Sequence, residues 1–203
     1  MGAAPKHRDG IVRAAVTLFR KRGYAATGVN DILAASGAPK GSFYHYFPQG
    51  KEQLGEEAVR RASETVISTL RQLSGEVKGS AAVVRAYGRL LGDWMEQSAF
   101  SDGCPITTTL LETTPQSPRL SAAGKSAFHG WRGELEALLG ADGIAPPHRA
   151  ALASLVVSAC EGALIQARVE GHRGPLDDAS DYLADLIEHH RSGSRAGAWK
   201  ERS

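Results

Sequence analysis

Residues 27–51 read TGVNDILAASGAPKGSFYHYFPQGK, and two short helical patterns separated by a break lie within them. In the first, Val29, Ile32 and Leu33 fall at i, i+3 and i+4, which aims one apolar stripe inward. Asp31 stands in its first turn, where a carboxylate suits the helix dipole. Ala34-Ala35-Ser36 ends the pattern, and Gly37 supplies the permissive backbone of a C-terminal turn. Pro39 suits the first position of a second helix, where its missing N–H costs nothing. Phe43 and Phe47, four apart, give that helix a core-facing edge and leave Lys40, Ser42, Tyr44 and His45 for its other faces. Helix, glycine-containing turn and helix make a helix-turn-helix. Its second helix carries no acid, as befits a helix that lies against phosphates.

A bare helix–Gly–helix occurs in any small α domain, so the residue types matter more than the outline. The order Thr27, Val29, Asp31-Ile32, Ala35-Ser36-Gly37, Lys40-Gly41-Ser42-Phe43-Tyr44-His45-Tyr46-Phe47, Lys51-Glu52, Leu54 closely resembles the N-terminal domain of TetR-family transcriptional regulators. The resemblance implies an all-α homodimer: a three-helix DNA-binding head over 1–50 and a helical ligand-binding and dimerisation body over 51–192. It also implies contacts to a double-stranded DNA operator. Lys40 and Ser42 would lie near base edges or phosphates, Gly41 would let backbone approach, Tyr44 would bond a phosphate and His45 would reach toward bases. Lys51 would pair with a phosphate beside a helix N-terminus, and Thr27 would cap a helix or touch a phosphate. The chain departs from the family at Gly28, where Ser or Thr is common, and at Pro39, where Ser is common. The link Pro48-Gln49-Gly50 is one residue longer than usual.

Outward from this stretch, charge is unevenly spread over the 203 residues. Through Gly55 eight basic residues face three acidic ones, a surplus of five, whereas the remainder holds 16 basic and 19 acidic residues. A basic head on a mildly acidic body is the footprint of a nucleic-acid binder. Cys104 and Cys160 form neither a zinc spacing nor a disulfide framework. MGAAPKHRDG lacks an apolar signal core, and the apolar stretch 150–167 is broken by Ser154, Ser158, Glu161 and Gln166, so it reads as a buried or interfacial helix and not a membrane span. The expected location is the cytoplasm.

Helical periodicity predicts further helices over about 7–22, 51–73, 80–98, 105–112, 118–139, 147–170 and 177–190. The Arg/Gly/Ser-rich tail 193–203 reads as disordered. Gly103-Cys104-Pro105 before a Thr-rich apolar helix resembles one branch of the family, the lincomycin-resistance and flavonoid-responsive type of repressor. By the same resemblance the last two helices pair with their symmetry mates in a four-helix bundle.

No His-x-x-x-His pair, cysteine ladder, phosphate-binding Gly-rich loop or Gly-x-Ser-x-Gly elbow is present, so no enzyme, metal or cofactor is expected. An effector pocket is expected instead, with Trp94, Met95, Phe100, Leu110, Leu111, Phe128 and Trp131 as adaptable walls and Thr107 and Glu161 among its polar contacts. Glu161 interrupts an apolar helix, where a buried acid must be paired or functional. The expected protein is a homodimeric repressor released from a pseudo-palindromic operator by a small, largely apolar or aromatic molecule. Two alternatives stay open: an activator, and a small-molecule binder or enzyme that keeps a vestigial head.

Overall fold

The computed structural model describes the backbone of residues 5–200 and the side chains of residues 7–191. Among the described residues the regular structure is entirely helical. The order is α1 (Pro5–Arg22), α2 (Val29–Ser36), a 3-10 turn (Lys40–Ser42), α3 (Phe43–Tyr46), α4 (Gly50–Glu76), α5 (Ser80–Gln97), α6 (Pro105–Thr113), α7 (Pro118–Ala141), α8 (Pro146–Glu170) and α9 (Gly174–Lys200). The expected boundaries hold to within a few residues, with two exceptions. The second helix of the motif is not one helix from Pro39: Pro39 is extended (φ −61°, ψ 139°), and a 3-10 turn precedes a single α-turn. The final helix begins three residues early and runs to Lys200, through most of the tail read as disordered; residues 201–203 lie outside the described residues.

The chain forms two compact units, and they are interleaved in sequence. The first comprises residues up to Thr65 together with Gly103–Ala127; the second comprises Val66–Asp102 and the chain from Phe128 onward. The division expected at residue 50/51 therefore differs from the packing, since α6 and the start of α7 belong with the head.

In the first unit, Ile11, Val12, Ala15 and Phe19 of α1 are buried with Ile32, Leu33, Phe43, Phe47, Leu54 and Ala58. α1 stops at Gly23, whose φ of +84° lies in the left-handed region that glycine adopts without strain. Gly28 leaves only half of a capping box: Asp31 Oδ2 accepts the Gly28 N–H at 3.0 Å, with no side chain to reciprocate.

In the second unit, α5 and α8 both pack on α9. Gly88 of α5 has no room for a Cβ against Ser180 of α9. Asp142 Oδ2 accepts both the backbone N–H and the hydroxyl of Ser80 at 2.6 Å, fixing the start of α5. Arg173 ties α5 to the start of α9 by bonding Asp93 (2.8 Å) and Asp177 (2.9 Å). Its guanidinium is held even more firmly protonated than usual, first by the hydrogen bond to Asp177 and then by that to Asp93.

α8 is apolar on both faces. Leu152, Ala153, Val156, Cys160, Ala163 and Ala167 are buried in the unit's core. Ala151, Leu155, Ser158, Ile165 and Val169 are exposed and Gly162 is half-buried, spaced alternately by four and three. Leu155 is 45%, Ile165 53% and Val169 82% exposed, and Tyr182 of α9 is 75% exposed. By length and composition alone α8 could also cross a membrane, a test that the core helix of a soluble protein passes as well.

Candidate nucleic-acid interface and effector cleft

The head presents its motif by burying one edge of it. Gly37 closes α2 in the left-handed conformation (φ 66°), Ala38 is buried, and the chain turns through Pro39 into the 3-10 turn. Phe43 and Phe47 are fully buried, their ring centroids 5.4 Å apart. With those two rings anchored, the opposite side of the segment faces outward: Lys40, Gly41, Tyr44 and His45 are exposed. Tyr44 is 67% exposed yet braced edge-on against Phe43 (5.1 Å), and His45 is braced against Tyr46 (5.1 Å). Nothing lies within 4 Å of where a Gly41 side chain would begin, so that stretch of backbone can be approached closely. Ser42 is half-buried and donates its hydroxyl to the Pro39 carbonyl at 2.6 Å; its oxygen lone pairs remain available to a donor.

Lys51 is half-buried, with its ammonium 4.2 Å from the centroid of the Tyr24 ring. Burial lowers its pKa, and the charge of Glu112 opposes that push. Burial likewise raises the pKa of the Tyr24 phenol, assisted by Glu52.

Thr27 does not belong with this face. It is fully buried, its hydroxyl donates to the Gly23 carbonyl at 2.7 Å, and its N–H donates to the Tyr24 carbonyl. It holds the turn between α1 and α2, so a phosphate contact is replaced by a structural role.

The second unit contains a narrow crevice with room for about one water molecule, lined among others by Leu70, Val84, Tyr87, Trp131, Val156 and Glu161. Trp131 is 4% exposed, and its indole N–H has no hydrogen-bond partner. An unused donor in an apolar surround is costly to leave unmatched. Cys160 also lines the cleft; burial, with a contribution from Glu161, pushes its thiol up to about 12, so it stays a thiol at neutral pH.

Of the nine effector residues expected from sequence, Trp131 and Glu161 line this cleft. Phe128 is not among the lining residues; its ring packs perpendicular to that of Trp131 at 5.5 Å. Met95 is 2% exposed in the unit's main core, Phe100 packs on that core, and Trp94 is 39% exposed on the surface. Thr107, Leu110 and Leu111 lie on α6, in the first unit. Leu110 is buried there, Thr107 is half-buried and Leu111 is 74% exposed. For Met95 and Phe100 the cause is that an apolar residue on a core helix has the same periodicity whether it fills the core or walls a cleft. Leu70, Val84, Tyr87 and Val156, which also line the cleft, read in the sequence simply as helix-face residues for the same reason. Among the described residues no group of three or more His, Cys, Asp or Glu side chains could hold a metal.

A basic, acid-poor face built on a helix-turn-helix, in an all-helical chain with a second helical unit, defines the class as a helix-turn-helix DNA-binding regulator. Residues 11–58 match the family described as bacterial regulatory proteins, tetR family, and residues 80–182 match the C-terminal domain of LmrA/YxaF-like transcriptional regulators. The chain is 35% identical over 185 residues to the uncharacterized HTH-type transcriptional regulator Rv0196 of Mycobacterium tuberculosis, covering 89% of this chain and 93% of that one. It is 33% identical to the HTH-type transcriptional regulator LmrA of Bacillus subtilis, covering 89% and 96%. A TetR transcriptional regulator from Chloroflexus aurantiacus has a similar crystal structure (TM-score 0.75, 30% identity, covering 90% of this chain and 94% of that one). This chain belongs to the TetR family of transcriptional regulators, with an LmrA/YxaF-like C-terminal domain.

Proposed function

We propose that this protein is a homodimeric repressor that holds a pseudo-palindromic DNA operator and lets go when a small, largely apolar or aromatic molecule enters the second unit. The observation that carries the DNA reading is the exposed, acid-free face of Lys40, Gly41, Tyr44 and His45 over the buried pair Phe43 and Phe47. Lys40 and His45 read base edges or bind adjacent phosphates, Gly41 admits the DNA backbone, and Tyr44, Ser42 and Lys51 position the head on phosphates. Half-sites then lie about one helical turn apart.

The exposed seam of α8, with Tyr182 of α9, supports dimerisation through the last two helices. Its four–three spacing is that of a helix pairing with a partner helix. A twofold contact doubles every interaction it makes.

For the effector, the cleft offers mostly hydrocarbon walls, one unmatched indole donor and one carboxylate. A ring-bearing molecule with a hydrogen-bond acceptor toward Trp131 would satisfy it, and the crevice must widen to admit one. Release requires the effector to prefer the released state, since equal affinity for both states shifts nothing. The protein carries out no chemistry on its ligand and works in the cytoplasm, where the chromosome is.

The test is a fluorescence titration against DNA from upstream of the protein's own gene, with scrambled competitor, at about 0.15 M salt. Binding that survives competitor establishes a site-specific regulator. If neither upstream DNA nor any sequence selected from random DNA is preferred, the head is vestigial and the proposal fails.

A further inference from the structure

α6 carries two side chains that the DNA face does not use. Thr108 and Glu112 are four apart and so share one face of the helix. Thr108 donates its hydroxyl to the Phe19 carbonyl near the end of α1 (3.1 Å), shared with the Cys104 carbonyl (2.9 Å). Glu112 Oε2 accepts the N–H of Ala25, in the turn between α1 and α2, at 2.5 Å. Its other oxygen fills the space that a side chain at Gly23 would need. Both contacts lie inside the first unit, so α6 is hydrogen-bonded to the element that leads into the helix-turn-helix.

The same carboxylate bonds the residue next in sequence to the one that carries Lys51: it accepts the N–H of Ala25, and the Lys51 ammonium lies over the Tyr24 ring. The Tyr24 ring that carries the Lys51 ammonium is itself fixed. It lies 5.1 Å from the Phe19 ring, and a side chain at Gly55 of α4 would come within 2.9 Å of it. Lys51 therefore rests on a packed ring beside the turn that Glu112 bonds, and the Glu112 charge favours its protonated form against the effect of burial.

We infer that Glu112 is a positioning residue for DNA binding: one carboxylate fixes the α1–α2 turn through Ala25 and holds the Lys51 ammonium on Tyr24, in competition with a DNA phosphate. This rests on the reading of Lys51 as a phosphate contact. A charge-assisted hydrogen bond is short and directional, so a displacement of α6 by about 1 Å breaks it. Such a movement frees the turn and changes the charge that Lys51 sees. Glu112 links α6 to the DNA face without touching DNA.

Glu112→Gln and Glu112→Ala separate the two actions, because glutamine keeps an acceptor oxygen and loses the charge. Operator affinity is measured for each from about 0.05 to 0.3 M salt, with scrambled competitor. Hydrogen exchange of the Ala25 amide is followed by NMR. Glu112→Gln is expected to keep Ala25 protected and to bind operator about 5-fold tighter at the middle of that range, as one competing surface charge is removed. Glu112→Ala is expected to lose the Ala25 protection. In a Lys51→Ala background the gain from Glu112→Gln is expected to vanish, which a role confined to folding would not produce.

Three results overturn the inference while leaving the regulator reading intact: Glu112→Gln within 2-fold of wild type, the same gain without Lys51, or unchanged Ala25 exchange in Glu112→Ala. A wild-type protein that does not distinguish operator from scrambled DNA overturns the regulator reading, and this role with it.

Discussion

Replacing Ile165 by Glu tests the proposed dimer at the point where the protomer has least to lose. Ile165 is 53% exposed on the outer face of α8, so the substitution leaves the protomer's own core untouched. Burying a whole Ile side chain stabilises by about 1.5–3 kcal/mol, so covering the exposed half contributes about 1 kcal/mol. Twofold symmetry repeats the contact, giving about 2 kcal/mol per dimer, or about 30-fold in the dimer dissociation constant for Ile165→Ala. Glu places two carboxylates in the same seam and adds their desolvation, so Ile165→Glu is expected to weaken the dimer by well over about 100-fold. Sedimentation equilibrium measures the dimer constant, and circular dichroism checks that helix content is unchanged. Operator affinity should fall with dimerisation, because a lone protomer reaches one half-site only. A dimer of unaltered strength in Ile165→Glu would refute the assignment of the α8 seam as the interface.

Other substitutions address the remaining surfaces. Lys51→Ala is expected to weaken binding to all DNA sequences and to flatten the slope of log affinity against log salt by about one unit; an unchanged slope removes Lys51 from the phosphate contacts. Tyr44→Phe keeps the ring against Phe43 and removes the hydroxyl, so operator affinity should drop with thermal stability unchanged; lost helicity would instead mark Tyr44 as a packing residue. Glu161→Gln is expected to change the response to an effector found by screening for operator release, with operator affinity in its absence preserved; an equal change in both argues for a structural role. Cys160 has its thiol raised from 9.0 to about 12 by burial, so its stabilising contribution is complete below about pH 9 and is lost as pH rises toward 12. At pH 8 a thiol reagent should therefore leave Cys160 unmodified in the folded protein and label it on unfolding.

The head was the most legible part of the sequence because its residues serve one local pattern. Val29, Ile32 and Leu33, Gly37 and the Phe43/Phe47 pair each fix a backbone feature within a few residues of themselves. Thr27 misled because its hydroxyl finds a partner four residues back, at Gly23, and a short polar side chain before a helix looks the same whether it caps, contacts DNA or closes a turn. The 3-10 turn was hidden since Pro39 is as compatible with extended backbone as with the first turn of a helix. In the body, Trp131 and Glu161 stood out by chemistry, while Leu70, Val84 and Val156 did not, because their role depends on where three other helices leave a gap. Thr107, Leu110 and Leu111 were misassigned for a different reason: nothing local in α6 says which unit it joins.

That α6 and the start of α7 fold with the head bears on how such a chain can be recombined. A cut near residue 65 separates the helix-turn-helix from Thr108, Glu112 and Leu120, although all of them belong to its compact unit. The excised fragment would expose the Ala25 amide and the space that Leu120 fills beside Gly55. A chimera that pairs this head with a relative's body must therefore carry residues 103–127 along, or match them. The compact unit that holds this helix-turn-helix is thus built from two separated segments and not from one cassette.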